Sequence, residues 1–212
     1  MDPLASLAWL GGQTSTIKLG TGVLVLPYRP KFMTARWVAT VQELVGERLQ
    51  LGVAIGWMKP EFDVVGVPLK KRVSVSEDTI AFLRECFAND VVELNGQKFL
   101  FKPRPAAPPI LIGGAAPHAT DRAARIGDGW LPMTTDPEKL EPAIRDYRAR
   151  AKELGRTPRI FAFGALGKGR ADVQDRLARL EEIGVETVIT GVRYSDDASF
   201  SRGLDDLTGW IS

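Results

Sequence analysis

The stretch Gly113-Gly114-Ala115-Ala116-Pro117 has the residue types and the order of a phosphate cradle. An apolar run, Pro109 to Ile112, leads into it, and a helical pattern opens at Pro117. Glycines let a phosphate approach the backbone, and the N–H groups and dipole of a first helical turn favour the anion. The same order also describes a tight loop without a ligand, and it is not the G-x-G-x-x-G signature of dinucleotide binding. His118 falls in that first turn, where it either reaches a phosphate or faces solvent; for a lone histidine, solvent is the expected place.

Four more apolar runs end in segments that could face a ligand: Gly22-Val23-Leu24, Ile55-Gly56-Trp57, Trp130-Leu131-Pro132 and Thr190-Gly191-Val192. Glycines and large apolar groups dominate them, and no two acids stand ready as an acid–base pair. Such ends suit a flat, largely apolar ligand held by backbone contacts and suit hydrolysis poorly. Trp57 and Trp130 either wall a ring-shaped ligand or plug the end of a core, and the pattern leaves both open. Cys86, between Glu85 and Phe87 on a helical pattern, reads as a buried, inert thiol. Arg122, Arg125 and Lys70-Lys71-Arg72 read as solvated faces, with Arg72 keeping a claim on a polyanionic ligand tail.

The elements that position these ends alternate. Apolar runs at Ile17 to Leu26, Arg48 to Ile55, Pro109 to Ile112, Gly129 to Met133, Arg159 to Leu166 and Glu186 to Val192 read as strands covered on both faces. Amphipathic stretches read as helices at Pro3 to Gln13, Pro30 to Val45, Ser74 to Ala88, Pro117 to Ile126, Pro137 to Leu154, Arg170 to Ile183 and Ser199 to Ile211. Strand and helix in turn predict an α/β fold with a parallel sheet, right-handed crossovers and ligands at the strands' C-terminal ends. Periodicity leaves an open sheet and most of an eight-unit barrel both standing. The segment 91–101 (VVELNGQKFLF) interrupts the alternation and predicts a β-hairpin turning at Asn95-Gly96. We expect a single domain over 1–212 with this hairpin inserted.

Composition narrows the classes. The chain has 212 residues, and a net charge of only +2 from 28 basic and 26 acidic residues argues against a nucleic-acid binder, which usually shows a concentrated basic face. One cysteine and one histidine leave no disulfide framework and no cysteine-based or multi-histidine metal site. No apolar run nears the roughly 20 residues that span a bilayer, and Met1-Asp2-Pro3-Leu4 lacks a basic signal-peptide start. The expectation is a cytoplasmic protein that binds a small molecule, with no nucleic-acid, membrane or metal partner.

Several stretches together resemble the luciferase-like monooxygenase superfamily, and within it the class of oxidoreductases that use the deazaflavin coenzyme F420. Ile17 to Val23 (IKLGTGV) is similar to the family's third barrel strand, and Arg48 to Trp57 (RLQLGVAIGW) to its fourth, with Glu61-Phe62 and Gly66-Val67-Pro68 following. Pro103-Arg104-Pro105 and then Ile110 to Gly114 are similar to the insertion's exit and the fifth strand, and Ala123 to Trp130 (AARIGDGW) to the approach to the sixth. The likeness implies a TIM-barrel-like (β/α)8 fold whose first two strands have no counterpart here, leaving six parallel βα units. It implies a cofactor across the C-terminal mouth, F420 or alternatively FMN. Carried over, Gly22 and Val23 lie against the ring, where the family often has a non-prolyl cis peptide. Ile55, Gly56 and Trp57 line the ring's edge, and Gly113, Gly114 and Ala115 take the phosphate. Related sequences often place Ser or Thr where this chain has Ala115-Ala116.

The expected activity is hydride transfer between a reduced deazaflavin or flavin and an organic substrate, chemistry that asks little acid–base work of the protein. No catalytic side chain is assigned. The alternative is a catalytically incomplete barrel that only binds a phosphate-bearing ligand or serves as an oligomer subunit. With six strands, the edges at Ile17 to Leu26 and Glu186 to Val192 stand open, which predicts a homodimer or larger oligomer covering the Ile17 to Leu26 side.

Overall fold

The computed structural model describes residues 1–211, in two compact units divided between Leu111 and Ile112. The first unit opens with α1 (Pro3–Gln13), which starts where the sequence says: Asp2 caps it by accepting from the N–H of Leu4 at 2.9 Å and of Ala5 at 3.1 Å, and Pro3 occupies the first turn.

Two short strands follow, β1 (Leu19–Gly20) and β2 (Leu24–Val25), then a 3-10 turn at Leu26–Tyr28 and α2 (Lys31–Leu44). Both strands pair in parallel with β3 (Leu49–Ala54). The expected single strand from Ile17 to Leu26 is thus broken in two. Pairing runs Gly20 to Gln50 and then Leu24 to Val53, so Thr21, Gly22 and Val23 stand opposite only Leu51 and Gly52. The extra residue interrupts the ladder, a device common beside binding sites. Thr21 closes the gap by donating its buried hydroxyl to the carbonyl of Gly52 at 2.7 Å.

Leu49, Leu51 and Val53 alternate onto one buried face of β3, as a period of two requires. They join Leu19, Val38 and Val41 among the buried apolar residues of this unit, each worth about 1.5–3 kcal/mol. Arg48 ties α1 to the start of β3, donating to the carbonyls of Gly11, Thr14 and Ile17 at 3.0, 2.8 and 2.8 Å.

After β3 comes a helix absent from the sequence reading, α3 (Lys59–Val65). It is seven residues long and buries only Phe62, too little for a visible period. Next is α4 (Arg72–Ala88), starting two residues before the expected Ser74. The hairpin forms from β4 (Val91–Leu94) and β5 (Gln97–Leu100) in antiparallel register. Asn95 and Gly96, at φ 53° and 76°, both take the left-handed conformation that the tight turn demands. Arg36 of α2 fastens the hairpin: it donates to Leu100 and Lys102 carbonyls at 2.7 and 3.1 Å and lies 4.8 Å over the ring of Phe101. The Leu51 N–H then bonds Pro109 just ahead of β6 (Ile110–Gly113), the strand within which the first unit ends.

The second unit continues with α5 (His118–Ile126), β7 (Gly129–Leu131), α6 (Pro137–Glu153), β8 (Phe161–Phe163), α7 (Arg170–Glu182), β9 (Thr187–Ile189) and α8 (Asp197–Ile211). Leu131 accepts from Gly114, Trp130 N–H bonds Arg159, and Phe163 N–H bonds Pro132, so β6, β7 and β8 follow side by side. β8 and β9 pair in parallel from Phe161–Thr187 to Phe163–Ile189. Parallel strands with intervening helices are the α/β order the sequence predicts. No described helix is long and apolar enough to cross a membrane.

Arg122 corrects the reading of a solvated face: it is only 8% exposed. It shares α5 with buried Ala119, Ala123 and Ala124, whose small side chains let the helix lie close to its neighbours and carry the arginine inward with it.

Candidate functional site

In the first unit the strand ends bring together the residues expected at a ring. The pairing of Val25 with Ala54 sets the end of β2 beside the end of β3. Gly22 is exposed and Val23 half-buried, and the peptide bond between them is cis. Ile55 and Gly56 are half-buried and Trp57 is 77% exposed. Gly56 has φ 75°, and a Cβ there would come within 2.7 Å of Val25 and 3.0 Å of the Phe62 ring. A side chain is therefore excluded twice, by conformation and by packing. The glycine lets the chain turn sharply out of β3 and leaves Trp57 standing in solvent.

Two side chains in this region escaped the sequence reading. Tyr28, in the turn after β2, packs edge-on to Phe62 at 5.0 Å and hydrogen-bonds Glu61 of α3. Burial, with the carboxylate beside it, pushes the Tyr28 phenol up to about 12. The two residues lie 33 positions apart on separate loops, so no local pattern joins them. The second is Gln50. It faces Gly20 across the β1–β3 pair, and its buried Oε1 accepts no hydrogen bond among the described residues.

In the second unit the Gly-Gly junction forms as its order suggests. Gly113 is buried, Gly114 half-buried, and Ala115 through His118 are exposed. Gly114 adopts φ 131°, and a Cβ would lie 3.2 Å from that of Ala119 in α5. Both of its backbone groups are engaged: its N–H donates to Leu131 at 3.2 Å, and its carbonyl accepts from the Trp130 indole at 2.8 Å. Gly114 thus shapes the junction. The N–H groups of Ala115, Ala116 and His118 carry no hydrogen bond among the described residues, so the donors open to an anion come from the residues that follow it.

Trp130 is 2% exposed and packs edge-on to Tyr147 at 6.0 Å. Of the two readings left open for it, the structure supports the core plug. Cys86 is fully buried, and burial pushes its thiol up to about 11, the inert state.

The model of the luciferase-like monooxygenase family matches residues 1–207. The chain belongs to this family. Among its relatives is an uncharacterised protein of Mycobacterium tuberculosis, 33% identical over 192 residues; the match covers 88% of this chain and 66% of that protein's length. The fold is shared with the monooxygenase RslO1 from Streptomyces bottropensis, at a TM-score of 0.86 and 16% identity over 99% of this chain and 82% of that one. It is also shared with the coenzyme F420-dependent tetrahydromethanopterin reductase from Methanopyrus kandleri, at a TM-score of 0.72 and 17% identity over 99% of this chain and 88% of that one. This chain thus has the parallel α/β fold of luciferase-like proteins.

Proposed function

We propose that this chain serves an oxidoreductase that moves a hydride between a reduced deazaflavin, coenzyme F420, and an organic substrate, with FMN as the alternative cofactor. The β6–α5 junction carries the reading: three N–H groups at the start of a helix, behind two glycines, suit a phosphate. Family membership supports a ring-bearing cofactor in particular, and one F420-dependent reductase shares the fold.

Each unit, taken by itself, offers residues that fit one part of such a group. In the first unit, Gly22, Val23, Ile55, Gly56 and Trp57 offer backbone and apolar surface to a flat ring. In the second, Gly113 and Gly114 shape a junction at which Ala115 and its neighbours donate to a phosphate. When bound, the reduced ring supplies the hydride. The chain's own work is to orient that ring and exclude water from it, and the exposed indole of Trp57 is the group suited to shielding its edge.

Titrating the protein with F420 and with FMN, followed by tryptophan fluorescence, tests the reading. Binding should quench emission, and Trp57→Phe should remove most of the quench. Gly114→Asp should weaken binding at least about tenfold, because it adds charge and bulk where the phosphate approaches. Unchanged affinity in a folded Gly114→Asp protein removes the phosphate from this junction. Binding of inorganic phosphate with no affinity for either ring returns the chain to the binding-only alternative.

A further inference from the structure

We propose that Tyr28 is a positioning residue: it tethers the loop that follows β3, and through that loop it holds the indole of Trp57 at the edge of the cofactor ring. This inference rests on the cofactor reading above.

The loop, residues 57–67, has little else to hold it. Phe62 alone is buried there, and Val67 is half-buried. Its backbone hydrogen bonds close on the loop itself: Glu61 and Phe62 donate to Met58, Gly66 to Asp63 and Val67 to Phe62. Lys59 likewise spends its charge within the loop, on Asp63 at 2.6 Å. Segments with so few anchors open well before the core does. Trp57 stands at the start of this loop, 77% exposed, directly after the turn at Gly56.

Tyr28 meets the loop at two adjacent residues. Its ring packs edge-on to Phe62 at 5.0 Å, and its hydroxyl donates to the Glu61 carboxylate. That hydrogen bond is the loop's one polar link to the rest of the unit among the described residues. With its phenol pushed up to about 12, Tyr28 keeps the proton it donates across the neutral range.

The tether also stands at the right end of the strands. Tyr28 closes the 3-10 turn that follows β2, and β2 follows directly on Gly22-Val23, the segment assigned to the ring face. The last residues of β2 and β3, Val25 and Ala54, are paired, and a Cβ on Gly56 would come within 2.7 Å of Val25. Tyr28 therefore joins the strand that carries the ring face to the loop that carries the ring edge. An indole on an untethered loop samples many positions and must give them up to cover a ring. A tether removes part of that cost before the ring arrives.

The experiment measures amide exchange and affinity for F420 and FMN in the parent, Tyr28→Phe, Glu61→Leu and Glu61→Gln. Phenylalanine keeps the ring contact with Phe62 and drops only the hydroxyl. Without ligand, Tyr28→Phe and Glu61→Leu should exchange the 57–67 amides about three- to tenfold faster, the scale of one lost hydrogen bond, while β3 stays as protected as in the parent. Ring affinity should fall by a similar factor. Glu61→Gln keeps an oxygen that accepts from the hydroxyl and should retain the parent's loop exchange and affinity. In a Trp57→Ala background, Tyr28→Phe should cost no further affinity, because the tether acts through the indole. Unchanged loop exchange in Tyr28→Phe overturns the proposal. So does an affinity loss that persists undiminished without Trp57, which would have Tyr28 act on the ring by another route. A parent that binds neither ring overturns the cofactor reading and this role with it, a result told apart from a failed tether by the loop exchange, which needs no ligand.

Discussion

The indole Nε1 of Trp130 donates to the carbonyl oxygen of Gly114 at 2.8 Å, joining the core of the second unit to the glycine that shapes the β6–α5 junction. The ring is 2% exposed, so the bond is sheltered from water. Trp130→Phe keeps most of the apolar area and drops the donor. It should cost about 1–3 kcal/mol by urea denaturation, the range for stranding one buried partner. A loss below about 0.5 kcal/mol would mean that the carbonyl is satisfied in another way.

Arg36 should hold the hairpin to α2. It donates to the carbonyls of Leu100 and Lys102 and lies over Phe101. Lysine cannot reproduce a planar fork that bridges two carbonyls while stacking on a ring. Arg36→Lys should speed amide exchange in β4 and β5 while leaving β3 protected, with a global cost of about 1 kcal/mol. Uniform exchange across both regions would show that the hairpin is held by its own packing.

The molecule should lose stability in alkali. Burial raises the Cys86 thiol from 9.0 to about 11, and burial raises the Tyr147 phenol from 10.0 to about 12. In each case the folded state keeps a proton that the unfolded chain gives up sooner. Stability is therefore whole below about pH 9 and declines as pH rises through 9 to 11 for Cys86 and 10 to 12 for Tyr147. Melting temperatures across this range should fall, and Cys86→Ala should flatten the first part of the decline. An equally steep fall in that variant would assign the loss to other groups.

A homodimer or larger oligomer that covers the Ile17 to Leu26 side is our proposal for the assembly. Ile17 is exposed, and exposed Trp9, Trp37 and Leu44 of α1 and α2 add apolar surface in the same unit. Single exposed apolar residues are ordinary, but several in one unit beside a strand edge favour association. Sedimentation at micromolar concentration should show a dimer or larger species, and Trp9→Glu should shift it toward monomer. A parent that sediments as a monomer with β1 and β2 protected from amide exchange removes the proposal.

The sequence by itself determined most of the order of strands and helices, the short α3 excepted. Apolar runs and amphipathic stretches are local, and so are the stops: Asp2-Pro3 opens α1, and Asn95-Gly96 turns the hairpin because its φ values suit few other pairs. It also singled out Gly56 and Gly114, since a glycine at a strand's end announces a sharp turn or a close approach. What it could not supply was anything depending on two distant residues. The break of one expected strand into β1 and β2 depends on how many residues of β3 stand opposite, which no single strand records. The pairing of Tyr28 with Glu61, the burial of Arg122 and the sorting of Trp130 into the core while Trp57 stayed outside were decided by packing. The same holds for Gln50: its residue type is unremarkable in a strand, and only the tertiary structure shows its oxygen buried without a donor beside a glycine. Side-chain period and backbone conformation are written residue by residue, whereas hydrogen-bond satisfaction belongs to the assembled surroundings.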